Sequence, residues 1–331
     1  MEIVAGVHQI KLPFPRGIPE YTNVYLIEGS KGNILVDSGW DSSDALWAFR
    51  EGLKEERLRF QDINWIVLTH IHPDHCGLAS KLKELCQAQV AVHKVEAGLI
   101  EERYKDFAGL LRKMGQELAA NGVPLEAVAG LREASLWMKD FASPGLPDIV
   151  LEDGDRISNG TFDFELLRTP GHSLGHICLY EARKRWLFSG DQVLFKTTPH
   201  VGFHPQSGDN PLGDYIKSLR MLEGLQVNFV FPGHGPVFNS LKLRAEEILH
   251  HHEARKSAVM KVLDDGLKTA YEVAAEIPWK PETGGVALSD LEPWDRRLAI
   301  FETIAHLRLL DFEGRVGRIE RDGVFQYLAK E

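Results

Sequence analysis

Four apolar β-type runs in this chain each empty into a short turn that carries histidine or aspartate, and no other feature restricts the fold as tightly. The run ending at Leu68 leads into Thr69-His70-Ile71-His72-Pro73-Asp74-His75. Those ending at Leu167, at Phe188 and near Val230 lead into Thr169-Pro170-Gly171-His172, Ser189-Gly190-Asp191 and Phe231-Pro232-Gly233-His234. A buried strand fixes where its backbone lies, so a side chain in the turn beyond it can face a cavity from a defined position. Glycine lets the later turns bend sharply and approach a ligand closely. In the first turn, His70 and His72 stand two apart and can project to one side of an extended segment. Past the bend at Pro73, Asp74 and His75 turn towards a neighbouring position. That segment offers ligands to two cations at once.

Strand-like runs at Val24 to Ile27, Ile34 to Val36, Trp65 to Leu68 and Val90 to Val92 alternate with helical spacing over Ser43 to Arg57 and Gly77 to Cys86. A second set follows at Phe162 to Leu167, His176 to Tyr180, Trp186 to Phe188 and Val227 to Phe231. Strands interleaved with helices over residues 1–240 predict one large α/β sandwich. Residues 94–148 read as a helical insertion: Leu99, Ile100, Tyr104, Phe107, Leu110, Leu111, Met114 and Leu118 fall three or four apart. It is expected either to pack outside the sheets or to act as a lid. Residues 241–331 read as a separate C-terminal part. Its long helix begins after Ser240, a capping box stands at Thr269-Ala270-Tyr271-Glu272, Asp295 to Leu310 is helical, and a hairpin turns at Asp322-Gly323. That order suggests a small winged-helix-like domain.

The 331 residues carry a formal charge of −10, and both parts on either side of Ser240 are acidic. Neither has the basic excess that phosphate neutralisation requires, so nucleic acid is disfavoured as a partner. Three cysteines, Cys76, Cys86 and Cys178, cannot pair fully. With no run of 18 apolar residues and no basic start followed by an apolar stretch, a cytoplasmic protein without membrane contact is expected.

The H-x-H-x-D-H segment, followed by separate His, Asp and His positions, resembles the metallo-β-lactamase superfamily over roughly Val4 to Ser240. The resemblance implies a four-layer αβ/βα sandwich with the site at one edge of the two sheets. Carried over residue by residue, it implies that His70, His72 and His172 bind one metal, that Asp74, His75 and His234 bind a second, and that Asp191 bridges them. Two divalent ions would serve as cofactors; nitrogen and oxygen donors suit zinc, with iron or manganese as alternatives. A water activated between the metals would be the nucleophile, with Asp74 orienting it or accepting its proton. Oxygen-reducing diiron relatives carry a carboxylate where His72 stands, which favours hydrolysis here. The tail resembles the branch with an appended winged-helix domain, which includes single-strand endoribonucleases and polyketide thioesterases. The acidic charge points to a small or carrier-bound ester, thioester or lactone. Ribonuclease action, or a winged-helix regulator with a vestigial hydrolase domain, is the alternative. The appended domain is expected either to pack against the core or to mediate a homodimer.

Asp37, at the end of an early strand, could accept a hydrogen bond from the far nitrogen of a ligand histidine or merely cap its turn. His200 and His204, in the polar loop after Asp191, are candidates to line a substrate pocket. His176, four residues after His172, reads as an ordinary hydrogen-bonded strand histidine or as a support to the ligands, and His250-His251-His252 as helix surface.

Overall fold

The computed structural model describes residues 1–15, 20–280 and 284–330. The first sheet takes its strands in chain order: β1 (Glu2–Val4), β2 (Val7–Pro13), β3 (Tyr21–Ile27), β4 (Asn33–Val36), β5 (Ile63–Val67), β6 (Gln89–His93) and β7 (Ile149–Leu151). It is antiparallel through β4 and parallel from β4 to β7. Helices α1 (Ser43–Glu55), α2 (Pro73–Cys76) and α3 (Ala79–Cys86) supply crossovers between the parallel strands. The side chain of Ser42 caps α1 by accepting from the Ala45 N–H, and Ala45, Phe49 and Leu53, spaced by four, bury one face of that helix.

The second sheet runs in the order β12-β11-β10-β9-β8, from β8 (Arg156–Ser158), β9 (Asp163–Arg168), β10 (Ile177–Glu181), β11 (Trp186–Gly190) and β12 (Phe229–Pro232). Strands β9, β11 and β12 point the same way, so the turns after them emerge at one edge. Aliphatic and aromatic side chains from both sheets, including Val36, Val67, Phe164, Phe188 and Phe231, make a common core between them. A second core joins the outer face of the first sheet to α1 and α3. A third joins the second sheet to α7 (Pro211–Glu223) and α8 (Leu241–Leu263). Helix, sheet, sheet, helix is the resulting layer order.

The insertion forms α4 (Lys94–Ile100), a π-helical turn at Glu101–Lys105, α5 (Phe107–Ala120) and α6 (Leu125–Glu133), then a 3₁₀ turn at Leu136–Phe141. It has no separate core. Leu118, Val123 and Leu131 bury together with Val259, Leu263, Ile300, Ile304 and Tyr327 of the C-terminal segment. That segment continues with α9 (Ala270–Glu276), α10 (Pro293–Phe312) and the hairpin β13 (Val316–Arg321) and β14 (Val324–Ala329). Thr269 and Glu272 cap α9 reciprocally. Asp322 and Gly323 both take positive φ, as a two-residue primed turn requires. No helix among the described residues is long and apolar enough to cross a membrane.

His252 departs from the helix-surface expectation. It is buried between α8 and α10, with Nδ1 3.2 Å from Nε2 of His306.

Candidate metal centre

The turns after β5, β9, β11 and β12 meet at the shared edge of the sheets. Tight backbone ties hold them together: the Ile177 N–H donates to the Thr69 carbonyl at 2.9 Å and the Gly233 N–H to the Gly190 carbonyl at 2.8 Å. Two groups of donor atoms result, His70, His72 and His172 in one and Asp74, His75, Asp191 and His234 in the other. In the first, His72 Nδ1 lies 2.9 Å from both His70 Nε2 and His172 Nε2. In the second, His234 Nε2 lies 3.2 Å from Asp74 Oδ2 and 3.4 Å from Asp191 Oδ2, and His75 Nε2 lies 3.4 Å from Asp191 Oδ1. Asp191 Oδ2 also comes within 3.7 Å of His172 Nε2, so this carboxylate touches both groups.

The outward-facing nitrogens determine which atoms point inward bare. The single hydroxyl proton of Thr69 goes to Asp37, whose oxygens lie 2.9 and 3.0 Å away, so Thr69 Oγ1 accepts from His70 Nδ1–H at 3.0 Å. His172 Nδ1 donates to the His200 carbonyl at 2.9 Å, His234 Nδ1 to the Tyr21 carbonyl at 3.0 Å, and His75 Nδ1 to Asp37 Oδ2 at 2.8 Å. All four rings therefore keep a proton on the outward nitrogen and turn Nε2 inward, as the atom a metal would meet. His75 Nε2 and Asp191 Oδ1 are buried polar atoms with no hydrogen-bond partner. Unpartnered buried atoms of this kind, able to donate to a metal, are satisfied when a cation lies between them. The donor set fits divalent metal.

Electrostatics agree. Burial pushes His70, His72 and His172 below the ordinary histidine range, leaving three neutral nitrogen donors. Burial would lower His234 too, but Asp191 and Asp74 outweigh it and raise it to about 10. His75 is likewise held well above its usual range, against burial, by Asp191, Asp74 and Asp37. The second group thus calls for positive charge, which a metal ion can supply in place of protons.

Asp37 sits at φ 62, a conformation disfavoured for a residue with a side chain. Its carboxylate receives the Thr69 N–H at 2.8 Å as well as Thr69 Oγ1–H and His75 Nδ1–H. His200 acts through its carbonyl on His172, while its ring donates from Nε2 to the Leu298 carbonyl at 3.0 Å, linking the site to α10. His204 turns into its own loop, where Nδ1 accepts from the Gln206 N–H at 3.2 Å. His176 does more than a strand histidine was expected to do. Its Nε2 accepts the Asp191 N–H at 3.1 Å and its Nδ1 contacts Thr169 Oγ1 at 2.8 Å, fixing the backbone from which the shared carboxylate projects.

Glu96 was not singled out by sequence reasoning. It is fully buried at the start of α4, and its two oxygens accept the Ile71 N–H at 3.0 Å and the Gly175 N–H at 2.7 Å. One carboxylate thereby clamps the His70–His72 turn to the turn after His172. Burial pushes the thiols of Cys76 and Cys178 up to about 12, so neither is a nucleophile at neutral pH. Two hollows flank the donors. One of about 330 Å³ beside His234 is bordered by Tyr21, Phe195 and Lys196, and one of about 100 Å³ beyond Pro73 reaches under the insertion.

Comparison with known proteins decides the family, because the sequence pattern of the metallo-beta-lactamase superfamily matches residues 17–234. The chain belongs to the metallo-beta-lactamase superfamily. The probable metallo-hydrolase YqjP of Bacillus subtilis (strain 168) is 28% identical over 311 residues, 92% of either chain. The acyl-coenzyme A thioesterase MBLAC2 of Homo sapiens is 27% identical over 239 residues, 67% of this chain and 75% of that one. A solved metallo-beta-lactamase family protein, TTHA1429 from Thermus thermophilus, superposes with a TM-score of 0.83 at 30% identity, covering 99% of this chain and all of the other. The likeness of this superfamily member to the Thermus protein runs on through residues 241–331.

Proposed function

We propose that the protein is a two-metal hydrolase of acyl thioesters or related esters. The carrying observation is the pair of donor groups, linked where Asp191 Oδ2 comes within 3.7 Å of His172 Nε2, with the unpartnered His75 Nε2 and Asp191 Oδ1 facing each other in the second group. His70, His72 and His172 would hold one ion, Asp74, His75 and His234 the other, and Asp191 both. Zinc fits these nitrogen and oxygen donors, as do iron and manganese. Divalent metal bound here would lower the pKa of water towards neutrality and stabilise negative charge on the substrate oxygen.

The chain's own residues do the rest. Burial works to raise the Asp74 carboxyl, yet His75 and His234 hold it below its usual range. Asp74 is therefore ionised at neutral pH and can orient water or accept its proton. Asp37, Thr69 and the carbonyls of Tyr21 and His200 hold the rings with Nε2 turned inward, so metal would take the place of the protons that His75 and His234 otherwise hold. The likeness to an acyl-coenzyme A thioesterase and the acidic charge support a thioester over a phosphodiester. Residues 241–331 then serve as a buttress of the cleft rather than as a nucleic-acid reader.

Elemental analysis of purified protein should find close to two transition-metal ions per chain. A parallel assay of thioesters, lactones, phosphodiesters and single-stranded RNA, with metal-depleted protein as control, should show metal-dependent thioester or ester cleavage. Cleavage of RNA alone would overturn the substrate class, and no metal after reconstitution would overturn the site.

A further inference from the structure

The cavity beyond Pro73 has a lining that thioester cleavage alone does not explain. Pro73 stands between His72 and Asp74, so the cavity abuts the donor-bearing turn. Phe107 and Leu110 of the insertion and Trp294 of α10 give it apolar walls, while Arg103, Lys139 and Arg297 also line it. No described lining residue is acidic. None of the three cations has a carboxylate within ion-pair distance among the described residues; Arg103 Nε donates to Gln206 Oε1 at 2.9 Å.

Arg297 is the deciding residue. It is only 3% exposed, and its Nε has no hydrogen-bond partner. Nη1 donates to Ser135 Oγ at 2.8 Å and stands at 3.4 Å from the carbonyls of Leu131 and Arg132, and the guanidinium lies 4.5 Å from the Trp294 ring centroid. Capping the end of α6 accounts for Nη1 and leaves Nε and the missing counter-charge unexplained. Burial pulls this guanidinium down to about 10, which still leaves it charged at neutral pH. A buried cation without an anion is costly, and the cost is relieved by an anion that arrives with a ligand.

Size limits that ligand. An engineered cavity of about 150 Å³ holds a benzene molecule, so about 100 Å³ takes the carboxylate end of an acyl chain, whose remaining methylenes span back to the donor-bearing turn, and excludes a nucleotide. We propose that the cavity between the 94–148 insertion and α10 is a subsite for a short acyl group that ends in a carboxylate, held by Arg297 with Arg103 and Lys139. The inference rests on the thioester reading of the adjoining site and names its acyl half. In the reaction, water adds its oxygen to the acyl carbon, the carbon–sulfur bond breaks, the sulfur leaves as the thiol, and the terminal carboxylate is unchanged.

The test uses metal-loaded protein and two thioesters of N-acetylcysteamine, hexanoyl and adipoyl, which differ only in the terminal group. A charge-assisted hydrogen bond is worth about tenfold or more in affinity, so KM for the adipoyl thioester should be at least about tenfold the lower. In R297M that ratio should collapse to within about twofold, and R297K should restore part of it. General damage to the fold would slow both substrates together and leave the ratio intact. If R297M does not fold, R103Q, at a half-buried position, should still cut the ratio about threefold. Equal KM values on the wild type, or an unchanged ratio in the folded variants, overturn the subsite and leave the thioester reading standing. If neither compound is cleaved, the thioester reading falls. Calorimetry with adipate against hexanoate then decides the carboxylate subsite: tighter adipate binding that R103Q weakens supports it, and equal binding overturns it.

Discussion

Replacing Glu96 by glutamine removes one charge and one acceptor from the clamp between the two histidine-bearing turns, with almost no change of volume. One side-chain oxygen can still receive an N–H, either from Ile71 or from Gly175, but the new amide nitrogen then faces the other N–H donor to donor. The native contacts are 3.0 and 2.7 Å and wholly buried. Loss of one charge-assisted hydrogen bond therefore costs about 1.5–3 kcal/mol. Glu96→Ala strands both N–H groups at about 1–3 kcal/mol each, or about 2–6 kcal/mol in all. The Ile177 N–H to Thr69 carbonyl bond remains as a second tie, so E96Q should fold and melt a few degrees lower.

The functional consequence should exceed the loss of stability. His70, His72 and His172 lie on the two turns that Glu96 joins, and their inward nitrogens already stand 2.9 Å apart in pairs. Loosening the supports around metal ligands typically costs 10–100-fold in metal affinity. Chelator competition should therefore show weaker metal retention in E96Q by about 10–100-fold, and thermal melts with and without metal should converge relative to wild type. If E96Q holds metal as tightly as wild type and melts at the same temperature, the clamp argument is wrong and the remaining ties alone set the geometry.

Asp191→Ala removes the carboxylate that touches both donor groups, so metal content should fall below two per chain and hydrolysis should be lost; elemental analysis and turnover of the best thioester check both. Gly233→Ala would place a methyl group 2.4 Å from Asp191 Oδ1 and 2.6 Å from His75 Cε1, so metal loading should drop although the circular dichroism spectrum is kept. A G233A variant with full metal content would show that the donor turns can shift apart. Burial holds His306 at about 4, against the opposing pull of Glu302 and with Arg255 adding to the depression. The folded pKa lies below the unfolded value of about 6.5, so stability is complete above about pH 6.5 and falls by up to about 3 kcal/mol as pH drops towards 4. Urea midpoints at pH 7 and pH 5 should show that loss in wild type and a smaller one in H306Q; an equal loss in both would assign the acid sensitivity elsewhere.

The donors themselves were legible in the sequence because each comes after a local signal: an apolar run, a turn residue, then histidine or aspartate. Capping at Thr269 and Glu272 and the Asp322-Gly323 hairpin were readable for the same reason, since their partners lie within three residues. Strands β1, β2, β7 and β8 were not found. Three of these have only three residues, and β2 interrupts its apolar residues with His8, Gln9 and Lys11, so neither length nor a continuous apolar run marks them. His252 was misread because its burial depends on His306, 54 residues away in another helix.

Glu96 shows why the rest was hidden. Its partners lie 25 and 79 residues off and are backbone N–H groups, which carry no side-chain signature. The same holds for the carbonyls of Tyr21 and His200, which orient His234 and His172 from 213 and 28 residues away. A motif can name the atoms that bind, but the atoms that aim them belong to the backbone of other elements and exist only once the sheets have met. Two consequences differ in kind. Substitutions at the donors should empty the metal position they serve. Changes at the aiming positions should weaken metal binding by a graded amount, and most at Glu96 and His176, where one side chain fixes a whole turn.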